Sequence, residues 1–187
     1  GLDGYAIGRL IRAKGLDVSV TQTELKTCAK GDKGCSKTSP DGVLLGQPKT
    51  LGSKCASACV HILAGGARRI MGFGTFIGVH QVKSFETRTK VLRIYRAYGN
   101  QKVLVSEKPV SSKTVAVATT EDVYAKMREY FATMGVRETI IPLVKSAPHT
   151  SIHIMTLAEL AKTNLVTGIQ DGEAVVRGET AQPMPKA

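Results

Sequence analysis

At 187 residues with 42% apolar side chains, the chain is long enough for one domain with a real core and too apolar to be disordered. No run of about eighteen apolar residues occurs, which excludes a membrane-spanning helix. A total of 26 Lys and Arg against 15 Asp and Glu gives a net charge of +11, hence attraction to polyanions. With 5% aromatics and no nucleic-acid motif, neither a base-stacking platform nor a specific nucleic-acid partner is expected.

Residues 2–14 read as a helix, with Ala6, Ile7, Leu10 and Ile11 at helical spacing and Gly15 as its stop. Residues 16–21 alternate as a strand with Val18 and Val20 on one face. Residues 23–53 are a polar excursion, and a loop of that length in a compact domain is functional or pinned. Cys28 and Cys35 are placed to pin it. Cys55 to Ala64 reads as a small-residue turn carrying Ser57 and then an apolar helix, ended by Gly65-Gly66. Arg68 to Met71 begins an extended piece, and Thr75 to Val82 is a strand carrying His80. Residues 83–119 are a basic insertion in which 91–98 and 102–105 read as the strands of a solvated hairpin about Gly99-Asn100.

Thr120-Glu121-Asp122 opens a helix to Met134, with acidic residues in its first turn and Gly135 past its end. A second helix covers 136–146 and is broken by Pro148. Thr156 and Glu159 have capping-box spacing at the start of a short helix ending near Asn164, and 165–169 is a last strand. The alternation of strands and helices indicates an α/β fold, one domain over 1–176 with a loose tail at 177–187.

The four cysteines, Cys28, Cys35, Cys55 and Cys59, lack the C-x2-C pair of a zinc site and read as two disulfides made in an oxidising compartment. Three pairings are possible; the local one, Cys28–Cys35 with Cys55–Cys59, is the simplest. A continuous helix would misdirect Cys55 and Cys59, so a bridge between them requires a bend. His149 and His153 stand four apart, but Pro148 and the lack of a third ligand argue against a metal, and no cofactor is expected.

A serine in a sharp turn at a helix start exposes its hydroxyl and aims backbone N–H groups at a developing oxyanion. A histidine on a neighbouring strand supplies the base that such a hydroxyl needs. Taken singly, Ser57 reads as a helix N-cap and His80 as a core histidine.

Together, the turn Cys55-Ala56-Ser57-Ala58, the Ala64-Gly65-Gly66-Ala67-Arg68 after its helix, and Gly78-Val79-His80-Gln81 resemble the ClpP/crotonase superfamily. The chain is most similar to small bacterial periplasmic Clp-protease-like proteins. Gly4 to Arg12 resembles that family's first helix, and Met155 to Thr167 its closing helix and strand. The resemblance implies a core of repeated ββα units and a serine peptidase acting through an acyl-enzyme. Ser57 would be the nucleophile, His80 the general base and the Ala58 N–H an oxyanion donor. It also implies a peptide or protein substrate, an oligomer of identical chains, and a periplasmic or secreted protein whose precursor carries a signal peptide.

Two departures accompany it. The family's Ser-Pro-Gly-Gly turn before the first helix is absent, so further sequence with at least one N-terminal core strand is expected upstream. Ile152 stands where the family places the aspartate that orients the histidine, leaving Thr150 or Ser151 to orient His80. A catalytically inactive scaffold that binds peptides or a protein partner is the alternative reading, and a polyanion-binding module run by the basic insertion is the third.

Overall fold

The computed structural model of the protein describes residues 2–25 and 46–185. It is a mixed α/β structure with several small sheets. The first half runs α1 (Leu2–Ala13), β1 (Val18–Ser19), β2 (Gln22–Leu25), β3 (Gly46–Lys49), β4 (Lys54–Ala56), α2 (Ala58–Ala64), β5 (Arg69–Met71) and β6 (Phe76–Val79). Then come β7 (Ser84–Tyr98), β8 (Gln101–Val117), α3 (Glu121–Thr133), α4 (Ile140–Ser146), β9 (His153–Ile154), α5 (Leu157–Thr163), β10 (Gly168–Ile169), α6 (Gly172–Val176) and β11 (Gln182–Pro183). The single domain expected over 1–176 divides into two compact units, Val82–Val123 and the rest of the chain. The division follows from pairing: β7 and β8 bond only to each other.

In the larger unit β1, β5 and β10 run parallel, with β11 antiparallel at the edge. A second sheet joins β4 parallel to β6, and β9 antiparallel to β6. Each sheet takes one strand from before α2, β1 or β4, and its remaining strands from after it. Val60 and Leu63 of α2, Ile70 and Met71 of β5, and Ile77 and Val79 of β6 are buried together with Tyr130, Phe131 and Leu160. Arg69 is buried too, and its guanidinium donates to the carbonyls of Leu165 (3.0 Å), Asn164 (2.8 Å) and Gly66 (3.3 Å). Burial lowers its pKa to about 10, and these carbonyls supply the acceptors that a buried cation needs.

The first helix does not pack by its apolar stripe. Ile7 and Leu10 are exposed, whereas Gly4 and Gly8 are buried against α2. A Cβ on Gly65 would stand 2.3 Å from the Gly8 carbonyl oxygen, so the two backbones meet at these glycines.

One face of α2 presents His61 to an aromatic cluster. Its ring is edge-on to Tyr5 (4.5 Å between centroids) and stacked on Phe131 (5.4 Å), while the Tyr130 hydroxyl donates to the His61 carbonyl at 2.6 Å. Burial pushes the His61 pKa down from 6.5 to about 4, because the imidazolium would lose its water. Between those values the unfolded chain binds the proton and the folded one does not, so stability is full above pH 6.5 and falls as the pH drops toward 4. The loss amounts to about 3 kcal/mol at most. Urea midpoints measured across this window should fall less steeply in His61→Phe, which keeps a ring and removes the titration. An unchanged slope would refute the assignment.

Several elements differ from the sequence reading. The strand expected over 16–21 shrinks to Val18–Ser19, since Asp17 turns outward to a bidentate pair with Arg68. Gly135, at φ 69°, delays the next helix to Ile140. The ends of the polar excursion pair as β2 with β3, from Gln22↔Lys49 to Leu25↔Gly46, and Cys28 and Cys35 lie outside the described residues. The tail expected to be loose is pinned where β11 uses the free edge of β10, and the Gln170 side chain holds the Glu179 carbonyl at 2.6 Å. The capping box of Thr156 and Glu159 is present.

In the smaller unit the hairpin runs beyond the two short strands expected, from Ser84↔Val117 to Tyr98↔Gln101. Gly99 turns it at φ 57°, and the Thr119 hydroxyl closes its base on the Val82 carbonyl at 2.7 Å.

Candidate functional site

Ser57 is the single residue between β4 and α2. Its backbone sits at φ 58°, ψ −122°, a region that a side chain makes costly by about 1–3 kcal/mol. Three features hold it there. The Ser57 N–H donates to the Gly78 carbonyl at 3.3 Å, the register Ala56↔Gly78 fixes the strand before it, and a disulfide joins Cys55 to Cys59 with Cα atoms 5.2 Å apart. The bend that the sequence demanded for this bridge is the Ser57 turn itself. Ser57 is exposed, and its hydroxyl makes no capping bond to α2. A serine at a helix start is ordinarily kept there for that bond, so the cap explanation does not apply.

The bridge closes a short ring. Reducing it, or the double substitution Cys55→Ala with Cys59→Ala, should cost about 2 kcal/mol by loop-closure entropy. An unaltered urea midpoint after reduction would contradict this.

His80 follows the last residue of β6. Because β4 and β6 are parallel, Ser57 and His80 lie past the carboxyl ends of neighbouring strands, where open α/β sheets place their ligands. The His80 ring is half-buried, and its Nδ1 lies 2.8 Å from the Gln81 carbonyl oxygen. That oxygen can only accept, so in the neutral ring the proton sits on Nδ1 and Nε2 is the atom with the lone pair. Gln81 is itself fixed: its N–H donates to the Ala147 carbonyl at 2.9 Å and its side-chain amide to the Lys145 carbonyl at 2.7 Å. Among the described residues no hydrogen bond joins Ser57 to His80, and none joins His80 to Thr150 or Ser151, both exposed in the turn before β9. The orienting acceptor is a backbone carbonyl, which no residue type announces.

Ala58, first residue of α2, has no carbonyl within its helix to receive its N–H. Beside the turn is an apolar groove of about 340 Å³ lined by Lys54, Ala56, Phe76, Gly78, Ile152 and Ile154. Lys54 and Ala56 of β4, Phe76 and Gly78 of β6, and Ile154 of β9 with Ile152 just before it alternate along their strands, so they share one face of that sheet. Ile152 lies over Gly78, where a Cβ would come within 2.4 Å of its methyl. The residue standing at the expected aspartate position thus covers this face of the sheet. His153 is engaged elsewhere, its Nε2 3.0 Å from Glu159. Glu159 also accepts from the Thr156 N–H, and these bonds outweigh burial and lower its pKa. Among the described residues no group of His, Cys, Asp and Glu could hold a metal ion, and no helix is long and apolar enough to cross a membrane.

No protein-family model, curated protein or solved structure matches this chain.

Proposed function

We propose that the chain is a serine hydrolase of peptides, with a ClpP-like arrangement in which Ser57 is the nucleophile and His80 the general base. The observation that carries this is the Ser57 backbone: a non-glycine residue fixed at positive φ, exposed, bridged on both sides and free of any capping duty. Strain of this kind clusters at functional sites, and a strand-to-helix elbow is the setting in which a serine is presented to substrate. With the separately paired β2–β3 and β7–β8 set aside as insertions, β1 and β4 precede α2 and β5 and β6 precede α3, an order that supports the ββα reading.

In this mechanism Ser57 Oγ attacks the scissile carbonyl carbon while His80 Nε2 takes its proton. The Ala58 N–H receives the oxyanion, and His80 returns the proton to the leaving amine. Water then repeats the sequence on the acyl-enzyme. The Ser57–His80 bond is of a kind that often tightens only with substrate in place. The Gln81 carbonyl would hold the imidazole in the tautomer that a carboxylate secures in other enzymes. The Cys55–Cys59 bridge supports a periplasmic or secreted location.

A fluorescent fluorophosphonate should label the parent protein and neither Ser57→Ala nor His80→Ala. Folded parent protein that stays unlabelled would remove the hydrolase reading. The second reading, a peptide-binding scaffold without catalysis, is favoured by Ile152 in place of an acid and by the apolar groove beside the turn.

A further inference from the structure

We infer that one face of the hairpin, formed by Arg88, Lys90, Lys108 and Lys113 around Leu92 and Ile94, is a docking surface for an anionic lipid bilayer. The register places these side chains together. Arg88 pairs with Lys113, Lys90 with Ser111, Leu92 with Lys108 and Ile94 with Ser106; residues two apart on β7 share a face, and the register shift between Lys90 and Val91, which leaves Val110 without a partner, brings Lys108 and Ser106 to the face of Ser111 and Lys113. The other face of the same rungs carries no net charge: Thr87 bonds Thr114, Thr89 bonds Ser112, and Arg93 is paired with Glu107. The cations are therefore segregated, not spread over a solvated ribbon.

Their arrangement also opposes folding. Like charges directly opposite each other destabilise a strand pair, and Arg88 faces Lys113 with Lys90 on the next rung of that face. Glu86 answers Arg88 at 3.1 Å, but no acid among the described residues pairs with Lys90, Lys108 or Lys113. A surface of anionic headgroups would supply the missing counter-charge.

Two features favour lipid over nucleic acid. Leu92 and Ile94 are each at least half exposed amid the cations, and these aliphatic side chains give a base nothing to stack on; the exposed Tyr98 stands beside the Gly99 turn, four residues past Ile94. Against a bilayer they enter the boundary between headgroups and acyl chains while the lysines reach the phosphates.

The full chain should co-sediment with vesicles of equal parts phosphatidylcholine and phosphatidylglycerol but not with phosphatidylcholine alone, and less as salt is raised. The triple variant Lys90→Gln, Lys108→Gln, Lys113→Gln should lose affinity on the order of a hundredfold, at roughly fivefold per cation. The charge-matched variant Lys14→Gln, Lys102→Gln, Lys126→Gln, which spares the patch, should lose far less. Leu92→Ser with Ile94→Ser should also weaken vesicle binding. Equal losses in the two charge variants, no vesicle binding by the parent, or vesicle binding indifferent to the Leu92 and Ile94 changes would each overturn the inference. Binding to a single-stranded oligonucleotide without binding to vesicles would replace lipid with nucleic acid.

Discussion

Gly65→Ala is expected to lower stability by about 3 kcal/mol, at the upper end of what overpacking costs. The substitution is instructive because the backbone would accept it. Gly65 has φ −65° and ψ −22°, an ordinary helical conformation, so alanine meets no conformational penalty and would even restrict the unfolded chain. The whole cost is steric. The new Cβ would lie 2.3, 2.6 and 2.8 Å from the carbonyl oxygen, Cα and carbonyl carbon of Gly8, all of them backbone atoms that cannot swing aside. Nor can α1 slide away, because Arg12 anchors it to the carbonyls of Ala64 at 3.1 Å and Met134 at 2.9 Å. Gly8 is itself hemmed in, since the space beside its Cα is taken by the Tyr130 hydroxyl and the His61 carbonyl. Urea unfolding would read the effect as a lower midpoint at unchanged slope. A midpoint equal to or above that of the parent would mean that the two helices do not meet at these glycines.

Ser57→Gly should move stability and chemistry in opposite directions. Glycine occupies positive φ without the Cβ clash, so the strain at φ 58° is released. Set against the extra freedom glycine gives the unfolded chain, the net gain is about 1 kcal/mol. Ser57→Ala keeps the Cβ and removes a hydroxyl that caps nothing, so its stability should match the parent's, whereas loss of a true N-cap serine costs about 1 kcal/mol. Fluorophosphonate labelling should vanish in both. Thermal or urea unfolding of the three proteins separates the explanations: a loss in Ser57→Ala would return the serine to a capping role, and a loss in Ser57→Gly would show that the turn is not strained. A stabilising change that abolishes labelling is the signature of a residue kept for function.

Much of this was readable from residue types alone. Gly99-Asn100 announces a hairpin turn, Thr156 with Glu159 announces a capped helix, and the spacing of Cys55 and Cys59 already demands a bend where Ser57 lies. The length of the hairpin was hidden because residues such as Glu86, Arg88, Lys90 and Ser111 to Lys113 are exposed on both faces, and a strand with no buried side shows no alternation of apolar residues. The helical spacing of Ile7 and Leu10 is real but marks no buried face, since the packing is made by glycines, which carry no hydrophobic signal. The cluster of Tyr5, His61 and Phe131 joins three distant segments, and no local pattern predicts such a meeting. The acceptor that holds His80 is a main-chain oxygen, present at every position and so invisible in a sequence.

The closed base of the hairpin has a consequence for how the chain folds. A ribbon that zips outward from Gly99-Asn100 uses only local contacts and forms in microseconds, whereas the strand pairings that build the larger unit must close much longer loops. Val79 finds His153 only after the intervening chain has been gathered in. By fastening Val82 to Thr119, thirty-seven residues apart, the hairpin removes its own length from that search before the search begins. Halving a loop lowers its closure cost by about 0.6 kcal/mol. The insertion that interrupts the sheet is thus a kinetic shortcut, and extending it by further rungs would leave the folding rate of the rest of the chain nearly unchanged.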